Sequence, residues 1–288
     1  MKRFLKKRLG RFIPGAMRSS IKRCFNRKFI GPGNTQMLVE EGRLALKCTV
    51  EVSRASRSFL APLDCKNDVA NMIGSPDGRV EFESVVRAAE TGGSFFDIGA
   101  HSGLFSAVFC VANPANRVVS FEPSPVLAER LAAIRELNQF GERMRVEQIG
   151  IGDKNNSVKM LLDPAGGFVQ PQRFDHTMWA PPRMIDVHME TIDHAASRLC
   201  LTPQFIKLDI ESYEFEAIRG SRNFLSRHKP TIFLELHLNY LEQRHLRAKS
   251  VVEMLQQCGY SFYTSSGRPL RPREIFDSPL PNLHIVVR

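Results

Sequence analysis

The stretch with the most evident chemistry is F-F-D-I-G-A-H-S-G at residues 95–103. Asp97 closes an apolar strand, and Gly99 and Gly103 precede an apolar helix that begins near Leu104. A strand, a glycine-rich turn and a helix in this order form the entrance of nucleotide-type sites, at the carboxyl edge of a parallel sheet. Glycine also lets backbone approach a ligand where a side chain would collide. The candidate cofactor contacts of this turn are Asp97, Gly99, Ala100, His101 and Gly103.

The turn reads D-x-G-x-x-x-G rather than G-x-G-x-x-G, and this difference has a chemical meaning. A G-x-G-x-x-G loop sets helix amides against a pyrophosphate. Here a carboxylate stands where a phosphate would approach, which suits a cofactor that carries positive charge. S-adenosylmethionine, with its ammonium and sulfonium groups, is such a cofactor. A purely structural turn is the alternative, because a short motif of this kind has low specificity.

A second acidic residue follows the next apolar run. Glu122 comes 19 residues after Gly103, directly after the β-rich residues 117–121. An acidic residue at roughly this spacing accepts hydrogen bonds from ribose hydroxyls. Both adenosine cofactors and NAD would use it, so Glu122 supports a nucleoside without choosing between the two.

A third motif, I-K-L-D-I-E-S-Y-E at residues 206–214, contains three carboxylates. Alternation along a strand puts Asp209 and Glu211 on the same side. Carboxylates at the end of an apolar strand are typical of substrate ligands, proton acceptors or cation partners. Glu214 falls in the first turn of the next helix, where a negative charge is favoured for electrostatic reasons alone.

These segments together resemble the FkbM family of S-adenosylmethionine-dependent methyltransferases. The resemblance spans residues 81–237 and includes V-V-S-F-E-P-S-P, M-E-T-I-D and I-F-L-E-L-H. Family members usually have Asn in place of His101, and E-G-x-E where this chain has E-S-Y-E at residues 211–214. The resemblance implies a Rossmann-like class I methyltransferase fold that methylates a hydroxyl on a sugar, glycolipid or polyketide-like small molecule. It would also put Asp153 near the adenine amino group, although a turn aspartate explains that residue equally well.

The order of elements agrees with an α/β fold. From residue 95 onward apolar strands and helices alternate, which predicts a parallel sheet with helices on both faces. Residues 260–264 and 283–287 form two final β-rich runs. They suit the hairpin, with its antiparallel last strand, that closes the mostly parallel seven-stranded sheet of Rossmann-like methyltransferases. A domain that binds NAD would not usually end in this way.

Methyl transfer to a hydroxyl requires an aligned acceptor oxygen and a group that takes its proton. The candidates for this group are His237, Glu211 and Asp209. His237 ends the fifth strand of the expected sheet, and histidine titrates in the useful range. A histidine that caps the strand edge for structural reasons is the alternative.

We divide the chain into a basic tail (1–36), a small N-terminal cap (37–90) and a methyltransferase domain (91–288) with a substrate-side insertion at 159–193. Loops at strand ends commonly carry specificity. The insertion holds aromatic side chains that could stack on a sugar ring or pack over the core. They are Phe168, Phe174, His176 and Trp179.

The formal net charge of +10 resides in the tail, because residues 1–39 hold eleven Lys and Arg and no acid. Apolar residues between positions 4 and 13 fall on one half of a helical wheel, which is typical of a helix lying on an anionic membrane. We therefore expect residues 1–28 to contact such a surface. A solvated arm and an organelle transit peptide are the alternatives. No nucleic-acid module is recognisable, so nucleic acid is not an expected partner.

The sequence contains neither a secretory signal nor an apolar stretch long enough to span a membrane, so we expect a cytoplasmic protein that can associate with a membrane surface. Its six cysteines are scattered without C-x-x-C pairs, which favours free thiols over zinc or disulfides. No metal is expected. Besides an O-methyltransferase, two alternatives stay open: an NAD(P)-dependent oxidoreductase, and a non-catalytic nucleoside-binding protein anchored by its basic tail.

Overall fold

The computed structural model describes residues 26–30, 36–52, 55–162, 167 and 182–288. The chain begins with a four-stranded antiparallel sheet in the order β1-β2-β3-β4. Its strands are β1 Asn26–Ile30, β2 Gln36–Glu41, β3 Leu46–Val52 and β4 Ala55–Ala61. Helices α1 (Lys66–Gly74) and α2 (Pro76–Thr91) follow. Because β1 pairs with β2, the N-terminal sheet starts inside the segment 1–36 that the sequence assigned to the tail.

The remaining elements alternate between strands and helices as predicted. The first group contains β5 Ser94–Ile98, α3 Leu104–Ala112, β6 Arg117–Phe121, α4 Pro125–Leu137, β7 Met144–Glu147, β8 Gly150–Ile151, β9 Asn156–Leu162, β10 Arg183–Glu190 and α5 Ile192–Leu199. The second group contains β11 Phe205–Leu208, α6 Glu214–Gly220, α7 Arg222–His228, β12 Thr231–His237, α8 Leu238–Gln243, α9 Ala248–Gln257, β13 Phe262–Thr264, β14 Pro269–Leu270, α10 Pro272–Phe276 and β15 Asn282–Val287.

The main sheet has the strand order β14-β13-β15-β12-β11-β5-β6-β7. Neighbours from β7 through β12 pair in parallel, whereas β15 pairs antiparallel with both β12 and β13. The predicted Rossmann-like class I methyltransferase fold, with its antiparallel last strand, is confirmed. In the described part of the chain the two-residue strand β14 adds an eighth strand at the edge, because the chain turns back on β13.

Helices cover both faces of this sheet, and adjacent residues of β5 show why. Phe95 belongs to the core on one face, which α2, α3 and the N-terminal sheet complete, and it stacks on Phe109 with 4.4 Å between ring centroids. Phe96 belongs to the core on the other face, under α5, α6 and α9. Successive residues of a strand point to opposite faces, so two adjacent phenylalanines supply both layers.

The N-terminal sheet is built onto the same core as the main sheet. Val39, Val50 and Phe59 are buried in one cluster with residues of α3. At the end of α4, the Asn138 side chain accepts a hydrogen bond from Leu60 N at 2.7 Å and donates one to Leu60 O at 2.8 Å. Residues 37–90 therefore pack directly on the methyltransferase fold. The domain boundaries themselves remain predictions.

The predicted insertion contains a separate small sheet. Strand β10 pairs antiparallel with β9 and parallel with β8. The aromatic residues proposed for stacking, from Phe168 to Trp179, lie outside the described residues, as does most of the basic tail. Among the residues that the structure describes, no helix is both long and apolar enough to cross a bilayer.

Candidate functional site

A cavity of about 480 Å³ lies where β5, β6, β11 and β12 reach their carboxyl ends. Its volume falls in the range of small-molecule sites, and ligands of open α/β sheets bind at this edge. The cavity brings together seven of the ten predicted site residues. These are Gly99, Ala100, His101, Glu122, Asp209, Glu211 and His237. Asp97, Gly103 and Asp153 do not line it.

Asp97 lies beneath the cavity rather than in its wall. Its side chain is buried and accepts a hydrogen bond from Ser106 Oγ at 2.5 Å, and Ser106 in turn contacts Ser120 Oγ at 2.7 Å. Burial raises the pKa of Asp97 to about 6, although the bond from Ser106 opposes the shift. We predicted a carboxylate in contact with a cationic cofactor. The structure shows one that ties β5 to α3 and β6.

The two glycines of the turn serve the packing of the chain. Gly99 has φ +82°, and a Cβ there would collide with the carbonyl oxygen of Asp209. Gly103 has φ +75°, and a Cβ would lie 2.6 Å from Leu131 Cδ2 on α4. The room that we predicted for a ligand is therefore taken by the end of β11 and by α4. Only Gly99 also borders the cavity.

His101 has an exposed side chain and a backbone φ of +48°. Asn, Asp and His are the non-glycine residues that enter this left-handed region most readily. The Asn that is usual in the family and the His of this chain therefore satisfy the same backbone requirement. The His101 amide donates a hydrogen bond to Glu122 Oε2 at 3.0 Å, which links the glycine turn to the end of β6.

Glu122 is held rigidly in the cavity wall. Its Oε1 accepts a bond from the Ser124 amide at 2.9 Å, and its Oε2 accepts the bond from His101. Burial raises the pKa of Glu122 to about 7, although these two amides oppose the shift. Each carboxylate oxygen keeps a further lone pair for a ligand hydroxyl.

Asp209 forms a buried ion pair with Lys207, a residue that the sequence analysis missed. Lys207 Nζ lies 2.7 Å from Asp209 Oδ2 and 3.7 Å from Glu81 Oε1. Burial would raise the pKa of Asp209, but Lys207 and His237 outweigh it and hold that pKa well below its usual range. The available signal was a lysine inside an apolar strand, two residues before Asp209 and so on the same side.

His237 stands among four carboxylates. Its Nδ1 lies 3.2 Å from Glu214 Oε1, and its Nε2 lies 3.6 Å from Glu235 Oε1, 3.7 Å from Glu211 Oε2 and 3.8 Å from Asp209 Oδ1. Burial lowers the pKa of His237, but the hydrogen bond with Glu214 and the other carboxylates outweigh it and raise the pKa to about 9. An imidazole with this pKa already carries a proton at neutral pH. His237 is therefore better suited to forming ion pairs with the surrounding carboxylates than to accepting a proton from a hydroxyl.

The E-S-Y-E segment at residues 211–214 contains two non-glycine residues with a left-handed backbone. Glu211 and Ser212 have φ angles of +57° and +81°. Glycine adopts such angles without steric cost, which accounts for the E-G-x-E of the family. In this chain Arg244 Nη1 donates to Ser212 O at 2.6 Å and to Ser212 Oγ at 3.2 Å, and so supports the serine. Glu214 is fully buried and accepts a bond from the Ile210 amide at 2.9 Å.

Strand β15 supplies a second group of polar residues that the sequence analysis missed. Glu235 pairs across the strands with His284, and His237 pairs with Asn282. Asn282 Nδ2 donates to Glu235 Oε1 at 3.0 Å, and His284 Nδ1 lies 3.2 Å from Glu81 Oε2. Only the antiparallel pairing of β12 with β15 brings these side chains together.

Asp153 lies away from the cavity and forms an ion pair with Arg219. The segment before it, Ile149 to Ile151, lines the cavity instead. The contact of Asp153 with adenine remains a prediction that the geometry does not support.

Within the described residues, two groups of acidic and histidine side chains have ligand atoms close enough to share a metal ion. They are Asp209, Glu214 and His237, and Glu81, Glu235 and His284. Lys207 already supplies positive charge to both groups, through Asp209 and Glu81. Lys207 and the two histidines therefore compensate part of the negative charge of both groups.

The family model described as "Methyltransferase FkbM domain" matches residues 97–262, which contain the glycine turn, Glu122 and the cluster around His237. This chain belongs to the FkbM methyltransferase family. No curated protein matched its sequence.

Two solved structures with a similar fold are methyltransferases of low sequence identity to this chain. The methyltransferase FkbM from Methylobacillus flagellatus is 19% identical with a TM-score of 0.43, and the match covers 68% of this chain and 43% of that protein. The chain thus spans less than half of the length of that relative. An O-methyltransferase from Bacillus cereus in complex with SAH is 11% identical with a TM-score of 0.40, and the match covers 77% of this chain and 86% of that protein.

Proposed function

We propose that this FkbM family member transfers a methyl group from S-adenosylmethionine to a hydroxyl of a sugar, glycolipid or polyketide-like small molecule. The observation that carries the proposal is the carboxylate of Glu122. Two backbone amides hold it in the cavity wall at the end of β6, where it can accept hydrogen bonds from ribose hydroxyls.

The residues around Glu122 fit the rest of this cofactor. Phe121, Leu127, Ile149 and Ile151 form an apolar surface beside Glu122 that suits a purine ring. When bound, S-adenosylmethionine supplies an electrophilic methyl group. The protein must then bind the acceptor, orient its oxygen toward that methyl group and hold the proton that the hydroxyl releases.

The far end of the cavity suits a polyhydroxylated acceptor. It is lined by Asp209, Glu211, Glu235, His237 and Asn282. Carboxylates and an amide oxygen accept hydrogen bonds from hydroxyls. This end supports a glycan or a similar hydroxylated small molecule as the acceptor class.

A binding titration tests the cofactor. Wild-type protein should bind S-adenosylmethionine in calorimetry and not NAD. Because a hydrogen bond to a charged group contributes about 1.5–3 kcal/mol, Glu122→Ala should weaken S-adenosylmethionine affinity about 10- to 100-fold. Glu122→Gln, which keeps one acceptor for the turn amides, should weaken it less.

The matched control is Glu129→Ala, an exposed glutamate on α4 that lies outside the cavity. Its affinity should equal that of the wild type. Equal affinity in Glu122→Ala and wild type would remove the assignment of Glu122, and preferential binding of NAD would favour an oxidoreductase. A screen of hydroxylated acceptors by mass spectrometry, which records the added methyl group, then identifies the substrate.

A further inference from the structure

Glu235 lines the cavity, and its side chain is 13% exposed. It lies on β12 two residues before His237, so both side chains point to the same side of the strand. Asn282 Nδ2, from the neighbouring strand β15, donates a hydrogen bond to Glu235 Oε1 at 3.0 Å. The carboxylate is therefore fixed in direction and accessible to a ligand.

The other side chains of the cavity that could accept a proton are less suited to taking one from a hydroxyl. Asp209 is paired with Lys207 at 2.7 Å, which stabilises the unprotonated form and makes it a weak base. His237 already holds a proton at neutral pH, because carboxylates surround it. Glu211 lies after the end of β11 on a turn, and nearly half of its side chain is exposed.

The histidines beside Glu235 lie farther from its carboxylate than Lys207 lies from the carboxylate of Asp209. His237 Nε2 lies 3.6 Å from Oε1, and His284 Nδ1 lies 3.7 Å from Oε2. Burial and the charge of Asp209 raise the pKa of Glu235 to about 7, although Lys207 and His284 oppose the shift. A proton acceptor is most effective when its pKa lies near the working pH.

We infer that Glu235 takes the proton from the acceptor hydroxyl, and that Asn282 and His237 hold its carboxylate in position. This inference rests on the proposed function. The hydroxyl loses its proton to a Glu235 oxygen, and its electron pair forms the bond to the methyl carbon. The electron pair of the carbon–sulfur bond that breaks stays on sulfur. The acceptor is thereby methylated, and the proton remains on Glu235 until it passes to solvent.

The test compares full-length wild-type protein with Glu235→Gln, which keeps the shape and removes the basic oxygen. With the acceptor from the screen, Glu235→Gln should lower kcat about 10²- to 10⁴-fold, the usual contribution of a general base. The affinity for S-adenosylmethionine in calorimetry should be unchanged. Glu242→Gln, an exposed glutamate on α8, is the matched control and should keep the wild-type rate.

The pH profile separates a proton acceptor from a merely structural residue. Wild-type kcat should rise with pH as Glu235 loses its proton near neutrality, and Glu235→Gln should lack this rise. The charged groups that face Glu235 are His237 on its own strand, Lys207 on β11, Asp209 directly after β11, Glu81 on α2 and His284 on β15. Glu235→Asp shortens the side chain by one methylene and keeps the carboxylate, so its kcat should be lower than that of the wild type and should still rise with pH. If Glu235→Gln does not fold, Glu235→Asp is compared with the wild type instead.

A second readout needs neither acceptor nor cofactor. In infrared difference spectra, the carboxyl signal that titrates near neutral pH should be smaller in Glu235→Gln than in the wild type. Asp97 and Glu122 contribute a signal that both proteins share. A wild-type turnover rate in Glu235→Gln, an unchanged infrared titration, or a loss of S-adenosylmethionine affinity in that variant would each overturn the inference. Wild-type protein that fails to bind S-adenosylmethionine would overturn the proposed function instead, and the infrared arm would still decide whether Glu235 titrates.

Discussion

Lys207 is the residue on which the charge balance of the site depends. Its side chain is 3% exposed and contacts Asp209, Glu81 and the ring of Phe105, whose centroid lies 4.7 Å from Nζ. Five carboxylates and two histidines surround the same space, so the cluster is stable only while its charges stay paired. This pairing keeps Asp209 ionised, whereas burial and the charge of Asp209 raise the pKa of Glu235 to about 7.

We expect Lys207→Met to lower the free energy of unfolding by about 3–5 kcal/mol, because it leaves buried carboxylates without a partner. The double variant Lys207→Met/Asp209→Asn should lose less than Lys207→Met alone, since it also removes one uncompensated charge. Urea denaturation followed by circular dichroism measures both. Lys249→Met, in an exposed ion pair with Glu253, should change stability by less than about 1 kcal/mol. A similar cost for the two lysines would contradict the role of Lys207.

At the scale of elements, the site depends on how closely β5 and β11 approach each other after their last residues. The Asp209 amide donates to Ile98 O at 3.1 Å, and the amides of Gly99 and Ala100 donate to Phe121 O at 3.0 and 3.1 Å. These bonds join the ends of three neighbouring strands. Gly99 is required there because the backbone of Asp209 occupies the space that a side chain would need.

Gly99→Ala should therefore destabilise the protein by more than about 4 kcal/mol, a size reached only by steric conflict in the core or similar disruptions. The matched control is Gly267→Ala, in the turn between β13 and β14. Gly267 has φ +94°, but a Cβ added there would have no atom within 4 Å, so only backbone strain of about 1–2 kcal/mol is expected. Thermal and urea unfolding of both variants measure the difference. If both variants lose the same free energy of unfolding, the close contact between Gly99 and Asp209 does not contribute to the cost of Gly99→Ala.

At the scale of the whole molecule, the N-terminal sheet and the methyltransferase fold form one packed unit. The buried side chains of β2, β3 and β4 share a core with α2 and α3. Asp64, just before α1, pairs with Arg130 of α4 at 2.8 Å. Residues of α1 reach the cavity as well, since Asp68, Asn71 and Met72 line it. The N-terminal part thus contributes one wall of the site.

The strongly basic residues 1–39 make a separate prediction about membranes. Full-length protein should sediment with vesicles that contain phosphatidylserine, because each Lys or Arg near an anionic surface contributes about 1 kcal/mol. Binding should fall at high salt and be absent with neutral phosphatidylcholine vesicles. Deletion of residues 1–25 should abolish it and leave the affinity for S-adenosylmethionine unchanged. Equal sedimentation of the truncated protein would contradict the prediction.

The sequence alone predicted the fold class and the sheet edge at which the candidate cavity lies. Alternation of apolar strands and helices is a local pattern, and parallel strands necessarily bring their carboxyl ends to one edge of the sheet. Glu122, Asp209 and His237 each follow or end such a strand, so their approach could be predicted. The departures from the family pattern at His101 and Ser212 were also visible, but their left-handed backbone was not.

Only the tertiary structure decided how these groups are paired and buried. The charges on Asp209 and His237 depend on burial and on neighbours such as Lys207, Glu214 and His284, and His284 comes from a distant part of the chain. The register of β12 against β15 places Asn282 beside Glu235, and no local pattern specifies that register. Ionisation depends on the three-dimensional arrangement of charge and on exclusion of water, and neither is encoded in the spacing of residues along one strand.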